Sequence, residues 1–375
     1  MSAPIRLLTF STLYPSPARP NHGVFVANRL RHLLAGGEAM ATVLAPTPWR
    51  GGAGWRGGEE MRQGLRVLHP AFLALPGLLT TPTTLFASAR RALRRLLDAG
   101  EAFDLIDGHY LYPDGVAALR LGQEFGLPVV LTGRGSDVSQ LPEHWFAGRE
   151  IRRALRDADA LIAVSEGLKQ GMMALGADPK RVTVLRNGVD LDLFQPDPAH
   201  RPAGRTLLSV GLLIERKGHD RIIAALPALP GFQLRIIGEG PARGALLAQA
   251  AALGVTDRVT LLGAVPHAKL PGHYAAADAL VLASSREGWA NVLLEAMACG
   301  TPVLASPAWG SREAVRAPEA GLVLDDTSPE NIAAGVRTLF AALPDRAATR
   351  RYAEGFGWAE TTAGQLDVFR RVLAA

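Results

Sequence analysis

Short apolar runs alternate along the chain with longer segments in which apolar residues recur every third or fourth position. The short runs predict buried parallel strands, and the periodic segments predict helices that pack on them. In the first half, the predicted strands are residues 6–10, 42–45, 65–68, 103–107, 128–132, 160–164 and 182–185. The second half repeats the pattern at residues 206–212, 232–237, 258–262, 280–283, 302–305 and 321–324. This alternation predicts an α/β fold with two doubly wound parallel sheets.

A proline-rich stretch separates the two halves. Residues 191–204 contain Pro196, Pro198 and Pro202 and form the predicted linker. We therefore place an N-terminal Rossmann-like domain at 1–191 and a C-terminal Rossmann-like domain at 205–355. A chain of 375 residues is long enough for two such domains. Two open α/β domains joined by a short linker form a cleft, where ligands usually bind.

Composition limits the class of protein and its compartment. The chain is 48% hydrophobic and 20% charged, as in ordinary soluble globular proteins. Cys299 is the single cysteine, which excludes an internal disulfide and fits a reducing compartment. The sequence starts without a secretory signal, and no apolar run reaches the ~20 residues needed to span a bilayer. These features predict a cytoplasmic protein.

The charge pattern is basic. The formal net charge is +5, and only four of the 40 basic residues are lysines. Within residues 71–97, Arg90, Arg91, Arg94 and Arg95 fall on the helix face opposite several leucines. Such a helix suits either the surface of an anionic membrane or ordinary packing on its own domain. Peripheral contact with the inner face of the plasma membrane is therefore one of two open readings of these arginines.

The stretch 284–306 carries the clearest chemistry. Glu287 lies in the loop after a predicted strand, and Asn291 is the predicted N-cap of the next helix. A strand, a glycine-bearing loop and a helix N-terminus form an anion site, because free N–H groups and the helix dipole point there. Glu295, inside the helix, suits the two adjacent hydroxyls of a ribose. The stretch therefore predicts a phosphate with a sugar on each side.

Other candidate residues follow the carboxyl ends of predicted strands, where the ligands of doubly wound sheets bind. Arg216 and Lys217 suit a diphosphate, because a guanidinium binds two oxygens and an ammonium supplies a point charge. The glycines of residues 238–240 fail the dinucleotide spacing but leave room for a base and a ribose. Gly23 follows the first predicted strand and begins a predicted helix. This order of strand, glycine and helix is typical of a turn that approaches a phosphate.

Two Asp-x-Asp triplets, at 157–159 and 190–192, would suit a metal site of a different architecture. Short triplets of common residues arise by chance, and the first of them falls at the end of a predicted helix. We interpret both as structural. The sequence offers no His/Cys cluster for another metal site, so we expect no metal.

The segment EGWANVLLE, followed by AMACGTPV, resembles the signature of the retaining family 4 glycosyltransferases, which have the GT-B fold. The NGVD turn at 187–190 and the GxGSD loop at 133–137 also recur in that family. The resemblance implies two Rossmann-like domains that face each other across a cleft, with residues 356–375 forming a helix that crosses back to the first domain. It also implies transfer of a hexose-type sugar from a nucleotide diphosphate sugar to a lipid-linked or polysaccharide acceptor, with no cofactor.

The resemblance assigns roles to the candidate residues. The expected catalytic residues are Glu287, Lys217, Arg216 and Arg134. The expected contacts with the nucleotide sugar are Gly23, Gly211, Gly238, Gly240, Val265, Gly288, Trp289, Ala290, Asn291, Val292 and Glu295. The expected contacts with the acceptor are His109, Asp137 and Asn187.

Two positions depart from the pattern of the family. Many members have a histidine where this chain has Arg134, and an arginine where it has Leu212. Because arginine is effectively always protonated, Arg134 cannot act as a base and should bind an anion or a sugar hydroxyl. Leu212 carries no charge, so Arg216 is the candidate to supply the cation that many family members have at that position.

Two other classes of function stay open. One is a nucleotide-sugar epimerase or hydrolase on the same scaffold, which product analysis without an acceptor would distinguish. The other is a non-enzymatic basic protein that binds nucleic acid. Its arginines are spread over the whole chain, with no recognition helix and no aromatic platform, so the sequence favours the enzyme and we expect no nucleic-acid partner.

Overall fold

A computed structural model describes residues 3–49, 57–75, 79–199 and 204–375. Contacts along the chain divide it into two compact units. The first unit comprises residues 1–186 together with 359–375, and the second comprises residues 187–358. The predicted linker, 191–204, therefore belongs to the second unit, and its residues 200–203 lie outside the described residues.

The first unit alternates strands and helices, as the apolar pattern predicts. Its strands are β1 (Ile5–Phe10), β2 (Ala39–Leu44), β3 (Thr47–Trp49), β4 (Gly57–Arg62), β5 (Leu65–Leu73), β6 (Leu105–His109), β7 (Val129–Gly133), β8 (Ala160–Ala163) and β9 (Val182–Val184). Its helices before the second unit are α1 (Val24–Leu34), α2 (Thr81–Asp98), α3 (Val116–Phe125), α4 (Ser136–Ser139), α5 (Trp145–Asp157) and α6 (Glu166–Ala174).

The strands of the first unit form one sheet in the order β3-β5-β2-β1-β6-β7-β8-β9, with β4 beside β5. All pairs along this order are parallel, and the β4–β5 pair is antiparallel. From β1 the chain adds strands first on one side and then, from β6, on the other. The loops after β1 and β6 therefore leave the sheet in opposite directions and open a crevice at their carboxyl ends.

The second unit repeats this design. Its strands are β10 (Thr206–Val210), β11 (Gln233–Ile237), β12 (Val259–Gly263), β13 (Ala279–Leu282), β14 (Val303–Ala305) and β15 (Gly321–Val323). Its helices are α7 (His219–Ala225), α8 (Arg243–Ala252), α9 (Leu270–Ala275), α10 (Asn291–Ala298), α11 (Trp309–Ala314), α12 (Pro329–Ala341) and α13 (Arg346–Glu354). The parallel sheet has the order β12-β11-β10-β13-β14-β15, so the reversal falls between β10 and β13.

Burial explains why the short apolar runs form central strands. Every residue of β6, β7, β10 and β13 is buried, because helices cover both faces of a parallel sheet. A leucine buried in this way contributes roughly 2 kcal/mol relative to an exposed one. The α/β fold with two parallel sheets is confirmed, since each predicted strand corresponds to an observed one.

One expectation for the first unit was wrong in detail. Region 49–64 is rich in glycine, arginine and tryptophan, which predicts a loop. It contains β4 instead, an edge strand of mostly glycines and charged residues, and its residues 50–56 lie outside the described ranges. Segment 71–97 divides into the end of β5 and helix α2, which begins at Thr81; its residues 76–78 also lie outside those ranges. The error at 49–64 arises because pairing with β5, rather than local apolar content, forms β4.

Helix α14 (Ala359–Leu373) follows the second unit in sequence and packs within the first. Its Leu366, Val368 and Phe369 join the core formed by β1, β2 and α1. In the part of the chain that the structure describes, no helix combines the length and the apolar character needed to cross a bilayer.

Candidate active site

The reversal between β10 and β13 places two loops of the second unit side by side. The loop after β10 leads into a turn, Glu215–Lys217, and the loop after β13 contains Glu287. Gly218 ends the turn with φ of +68°, and a Cβ there would lie 2.2 Å from the carbonyl oxygen of Ala283. The glycine therefore lets the turn pack directly on the end of β13, where Ser285 donates its N–H to the carbonyl of Arg216 at 3.0 Å.

This packing brings Lys217 and Glu287 together. The Nζ atom of Lys217 lies 2.5 Å from Oε1 of Glu287, and the two side chains are only 17% and 11% exposed. Each charge is partly desolvated and compensates the other. An anionic ligand at this point would meet the ammonium, and a ligand with hydroxyl groups would meet the carboxylate. The sequence predicted both residues, and the structure shows them in direct contact.

Arg216 precedes Lys217 on the same turn. Its Nη1 donates to the carbonyl of Arg286 at 3.1 Å, so the guanidinium also reaches the loop after β13. Leu212, the departure from the family pattern, has an exposed side chain in the loop after β10. That Arg216 supplies the positive charge absent at Leu212 is consistent with its place between the loops after β10 and β13, and it stays a prediction.

Close backbone contacts join the loops after β10 and β11. Gly238 and Gly240 have φ of +147° and +159°. A Cβ on Gly238 would lie 1.8 Å from the carbonyl oxygen of Gly211, and one on Gly240 would lie 2.4 Å from that of Leu213. Only glycine fits at these two positions. The two loops therefore meet through main chain. A base packed on this main chain, and its contact with half-buried Val265 after β12, stay predictions.

Helix α10 presents its N-terminus beside Glu287. Its N-cap is Ala290 rather than the predicted Asn291, and no side-chain hydrogen bond caps it among the described residues. Asn291 is instead the first helical residue, and its Oδ1 accepts from Nδ2 of Asn187 at 3.2 Å. The first N–H groups of a helix have no intrahelical partner, so this terminus suits an anion.

Asn187 belongs to this region of the second unit rather than to the first domain in which we predicted it. Its carbonyl accepts from Nε1 of buried Trp289 at 3.0 Å, and its side chain bonds to Asn291. These bonds fix the segment that enters α10. The predicted contact between Asn187 and an acceptor stays a prediction.

Glu295 lies one turn into α10 and is 8% exposed. Its Oε2 accepts from the hydroxyl of Tyr274 at 2.7 Å, and its Oε1 lies 3.2 Å from Nε2 of His267. Burial and the nearby carboxylate raise the pKa of Tyr274 well above its ordinary value, so the phenol remains a donor. These contacts orient the carboxylate. Neither partner was predicted from the sequence, although His267 stands two residues after Val265.

Polar side chains also meet in the first unit, next to its reversal, at the carboxyl ends of β6 and β7. His109 ends β6, and Arg134 follows β7. Nη2 of Arg134 lies 2.7 Å from Nδ1 of His109, whose Nε2 lies 3.2 Å from Oδ2 of Asp107. Because arginine only donates, Nδ1 accepts and the proton of the neutral imidazole sits on Nε2, facing Asp107. Burial lowers the pKa of His109, and so does the charge of Arg134, although Asp107 opposes both.

The contacts continue from Asp107 into helices α1 and α14. Nε2 of Gln365 lies 3.4 Å from Oδ2 of Asp107, and Oε1 of Gln365 accepts from Nε of Arg29 at 2.7 Å. We call Arg29, Asp107, His109, Arg134 and Gln365 the buried polar network. Burial lowers the pKa of Arg29 to about 10 and that of Arg134 to about 9, so both remain charged at neutral pH.

The loop from Arg134 to Asp137 is held by main-chain bonds. Asp137 is fully buried, and its carboxylate accepts N–H groups of Arg134 at 3.0 Å, Gly135 at 2.7 Å and Leu111 at 2.9 Å. It therefore shapes the loop that presents Arg134. A contact between Asp137 and an acceptor stays a prediction.

Gly23 stands at the start of α1 with φ of +70°, and a Cβ there would lie 2.2 Å from the carbonyl oxygen of Leu13. The guanidinium of Arg134 lies over the ring of Phe25, 5.4 Å from its centre. The turn at Gly23 and the residues after β7 therefore lie close together in the first unit. The contact of this turn with a phosphate stays a prediction.

Two family models match the chain. One, described as Glycosyltransferase Family 4, matches residues 23–193, and the other, described as Glycosyl transferases group 1, matches residues 192–356. Together they span most of both units.

Three relatives match this chain over most of their length. The chain is 33% identical over 368 residues to D-inositol 3-phosphate glycosyltransferase of Kineococcus radiotolerans, covering 83% of this chain and 82% of the relative. It is 33% identical to GDP-mannose-dependent alpha-(1-6)-phosphatidylinositol monomannoside mannosyltransferase of Mycolicibacterium smegmatis, covering 85% of each. It is 28% identical to the putative teichuronic acid biosynthesis glycosyltransferase TuaC of Bacillus subtilis, covering 82% of each.

Solved structures share the fold at lower identity. Sucrose-phosphate synthase from Thermosynechococcus elongatus matches with a TM-score of 0.82 and 21% identity, covering 99% of each chain. HepE from Anabaena, in complex with UDP and glucose, matches with a TM-score of 0.76 and 19% identity, covering 98% of this chain and all of that one.

Proposed function

The chain belongs to the family 4 glycosyltransferases of the GT-B fold, and from that premise we propose the reaction it performs. The enzyme moves a sugar from a nucleotide diphosphate sugar to a lipid-linked or polysaccharide acceptor, with retention of the anomeric configuration. The observation that carries this proposal is the contact of Lys217 with Glu287 beside the N-terminus of α10.

The donor binds mainly on the second unit. The base lies on the main chain of Gly211, Gly238 and Gly240, near Val265, and the ribose hydroxyls donate to Glu295. Tyr274 and His267 hold that carboxylate in place, which supports this assignment. The structure of HepE, a protein of similar fold, was determined with UDP and glucose.

The diphosphate then lies between the cations and the helix terminus. Lys217, Arg216 and the N–H groups from Gly288 to Val292 neutralise the charge that grows on the leaving group. Glu287, released from Lys217 by the phosphate, accepts hydroxyls of the donor sugar. Such preorganised groups lower the barrier because they are oriented before the charge develops.

Retention in a single step requires that the acceptor oxygen approach on the face that the diphosphate leaves. The bond from the anomeric carbon to the diphosphate breaks, and the bond to the acceptor oxygen forms. The acceptor proton passes to the departing diphosphate oxygen. No protein nucleophile takes part, so the chain contributes positioning and electrostatic stabilisation. We propose that this needs no metal ion or cofactor.

Acceptor contacts are proposed for the first unit, at His109 and Arg134. Arg134 remains protonated, so it binds a phosphate or a sugar hydroxyl and does not act as a base. A relative acts, by its name, on a phosphatidylinositol mannoside, and another is named for teichuronic acid biosynthesis. These names support an acceptor of the lipid-linked or polysaccharide class, used in the cytoplasm.

The experiment that tests donor binding is thermal unfolding with UDP, GDP, ADP and their common sugars. We expect one nucleotide family to raise the melting temperature, because a ligand that binds only the folded state stabilises it. The shift should persist with EDTA and change little with magnesium. A folded protein stabilised by none of the nucleotides would contradict the proposal, and a shift that required magnesium would contradict the metal-independent mechanism.

A further inference from the structure

One face of α5 in the first unit is unusually basic. Its residues recur at helical spacing and are all exposed: Trp145, Arg149, Arg152, Arg153 and Arg156. The opposite face is buried and packs on the unit: Ala147, Gly148, Ile151, Ala154 and Leu155. We call the exposed set the α5 stripe. Its orientation is fixed, because the buried face anchors the helix.

Most of the charge on the α5 stripe is not neutralised. Among the described residues, Arg149, Arg152 and Arg156 have no carboxylate partner. Arg153 pairs with Asp157 at 3.2 Å. The neighbouring acid, Glu150, faces Arg120 of α3 at 3.9 Å instead. A stripe with so many free guanidinium groups attracts a surface of opposite charge.

The α5 stripe also offers shape and an aromatic group. Its four arginines line a shallow cavity of about 450 Å³ together with Glu150. At the start of the stripe, Trp145 is 74% exposed, more than any other large apolar side chain among the described residues. Water does not favour an exposed indole, whereas the boundary between lipid headgroups and acyl chains does.

Helix α2, which the sequence singled out for the same role, is less suited to it. Arg90 and Arg94 both pair with Glu124 of α3, at 2.6 and 3.3 Å. Only Arg91 and Arg95 of that group are without a carboxylate partner in the described ranges. Its exposed face also lacks an aromatic residue comparable to Trp145.

We propose that the α5 stripe docks on an anionic lipid bilayer, with its arginines on headgroup phosphates and Trp145 in the interface. A helix that follows a strand of a parallel sheet runs back from the carboxyl edge, so Trp145 lies at the edge that carries His109 and Arg134. A lipid-linked acceptor would thus be presented at that edge. This link to the acceptor rests on the proposed function, whereas membrane docking itself does not.

The test is co-sedimentation of the full chain with vesicles of equal parts phosphatidylglycerol and phosphatidylcholine, at low and high salt. The wild type should bind these vesicles at low salt and dissociate from them at high salt. It should not bind vesicles of pure phosphatidylcholine. Arg149/Arg152/Arg153/Arg156→Gln should weaken binding about a hundredfold or more, since each arginine near such a surface contributes about fivefold. Trp145→Ala should weaken it severalfold.

The matched control is Arg90/Arg91/Arg94/Arg95→Gln, which removes the same formal charge from α2. Its loss should be far smaller, because Glu124 already neutralises part of that group. Equal losses in the two variants, or unchanged binding in the α5 variant, would overturn the proposal. Binding of a single-stranded oligonucleotide at the α5 stripe without vesicle binding would also overturn it, in favour of a soluble polyanion.

Nucleotide binding separates this proposal from the proposed function. The α5 variant should keep the thermal stabilisation that nucleotides give the wild type, because all four substitutions lie in the first unit, whereas the proposed nucleotide site lies mainly in the second. Loss of vesicle binding with retained stabilisation supports the α5 stripe. A variant that loses both vesicle binding and nucleotide stabilisation has unfolded. In that case the single substitutions Arg152→Gln and Arg156→Gln test the proposal, and each should weaken vesicle binding about fivefold. Unchanged vesicle binding in both single variants would refute the proposal.

Discussion

Arg134 departs from the pattern of the family, and its surroundings explain how the fold tolerates a half-buried cation. Burying an ion costs several kcal/mol unless other groups compensate it. In the buried polar network, the carboxylate of Asp107 compensates Arg29 and Arg134 through Gln365 and His109. Burial opposes the ionisation of Asp107, but its polar neighbours outweigh this and lower its pKa. Arg134 is therefore held in one orientation with its charge intact.

Candidate site residues could be predicted from the sequence only where the place of a residue at the end of a strand or helix indicates its function. Lys217 and Glu287 follow strand ends, and that placement suffices to predict them. Gln365 lies 258 residues from Asp107 in the sequence, and nothing in its local pattern distinguishes it from a surface glutamine. The partners Tyr274 and His267 were missed for the same reason. Contacts between distant side chains depend on packing that a single sequence does not display.

Asp114 gives the first unit a pH-dependent stability. It is fully buried and accepts the N–H of Thr12 at 2.6 Å and its hydroxyl at 3.0 Å. Burial raises its pKa from an ordinary 3.8 to about 7. The folded chain therefore binds a proton that the unfolded chain releases. This stabilisation is complete below about pH 4 and is lost as the pH rises through about 7.

We predict that Asp114→Asn removes this dependence. Relative to the variant, the wild type should lose unfolding free energy between about pH 4 and about pH 7, by up to about 4 kcal/mol. Chemical denaturation across that range measures it. Asp104→Asn is the control of opposite sign, because the hydrogen bond from Arg6 lowers the pKa of Asp104 more than burial raises it. A wild type and an Asp114 variant with parallel profiles would refute the assignment.

The elements around the donor site depend on glycines at loop contacts. Gly238→Ala should disrupt the surface formed by the loops after β10 and β11, because its Cβ would lie 1.8 Å from a carbonyl oxygen of Gly211. We expect loss of nucleotide-induced stabilisation, with a lower melting temperature for the free protein. Thermal unfolding with and without the nucleotide measures both.

Gly244→Ala is the matched control for that substitution. Gly244 lies in α8, and among the described residues no atom lies within 4 Å of a Cβ built there. Alanine favours a helix over glycine by up to about 1 kcal/mol, so this variant should be as stable as the wild type or more so. Unimpaired nucleotide binding in the Gly238 variant would show that the close contact is not needed.

At the level of elements, the strands were predictable because burial on both faces leaves an apolar run in the sequence. Edge strands lack that signature. β4 consists of Gly57, Gly58 and mostly polar residues, and it exists because it pairs with β5. The start of α10 was predicted, but its cap was not, since the side chain of Asn291 bonds to Asn187 instead of the helix. Competition between local capping and tertiary hydrogen bonds decides such details.

Across the whole molecule, the same design occurs twice. Each unit has a parallel sheet with a reversal of strand order, and in each unit charged or polar side chains meet at the carboxyl ends of two neighbouring central strands, at the reversal or next to it. The second unit gathers Lys217 and Glu287, which suit a diphosphate and a sugar. The first gathers His109 and Arg134, which suit the hydroxyls or phosphate of an acceptor. The repeated fold was predictable from the sequence, whereas the pairing of these side chains needed the structure.

The most direct test of this account is the rate of sugar transfer by Glu287→Gln and Lys217→Ala, with the nucleotide sugar that stabilises the wild type. Glu215→Gln, an exposed acid on the same turn, is the control. Both site variants should fold normally and lose about a hundredfold to a thousandfold in rate. The control should fold normally and keep the wild-type rate. The wild-type product should keep the anomeric configuration of the donor, measured by NMR. Near wild-type turnover in either site variant, or an inverted product, would contradict the account.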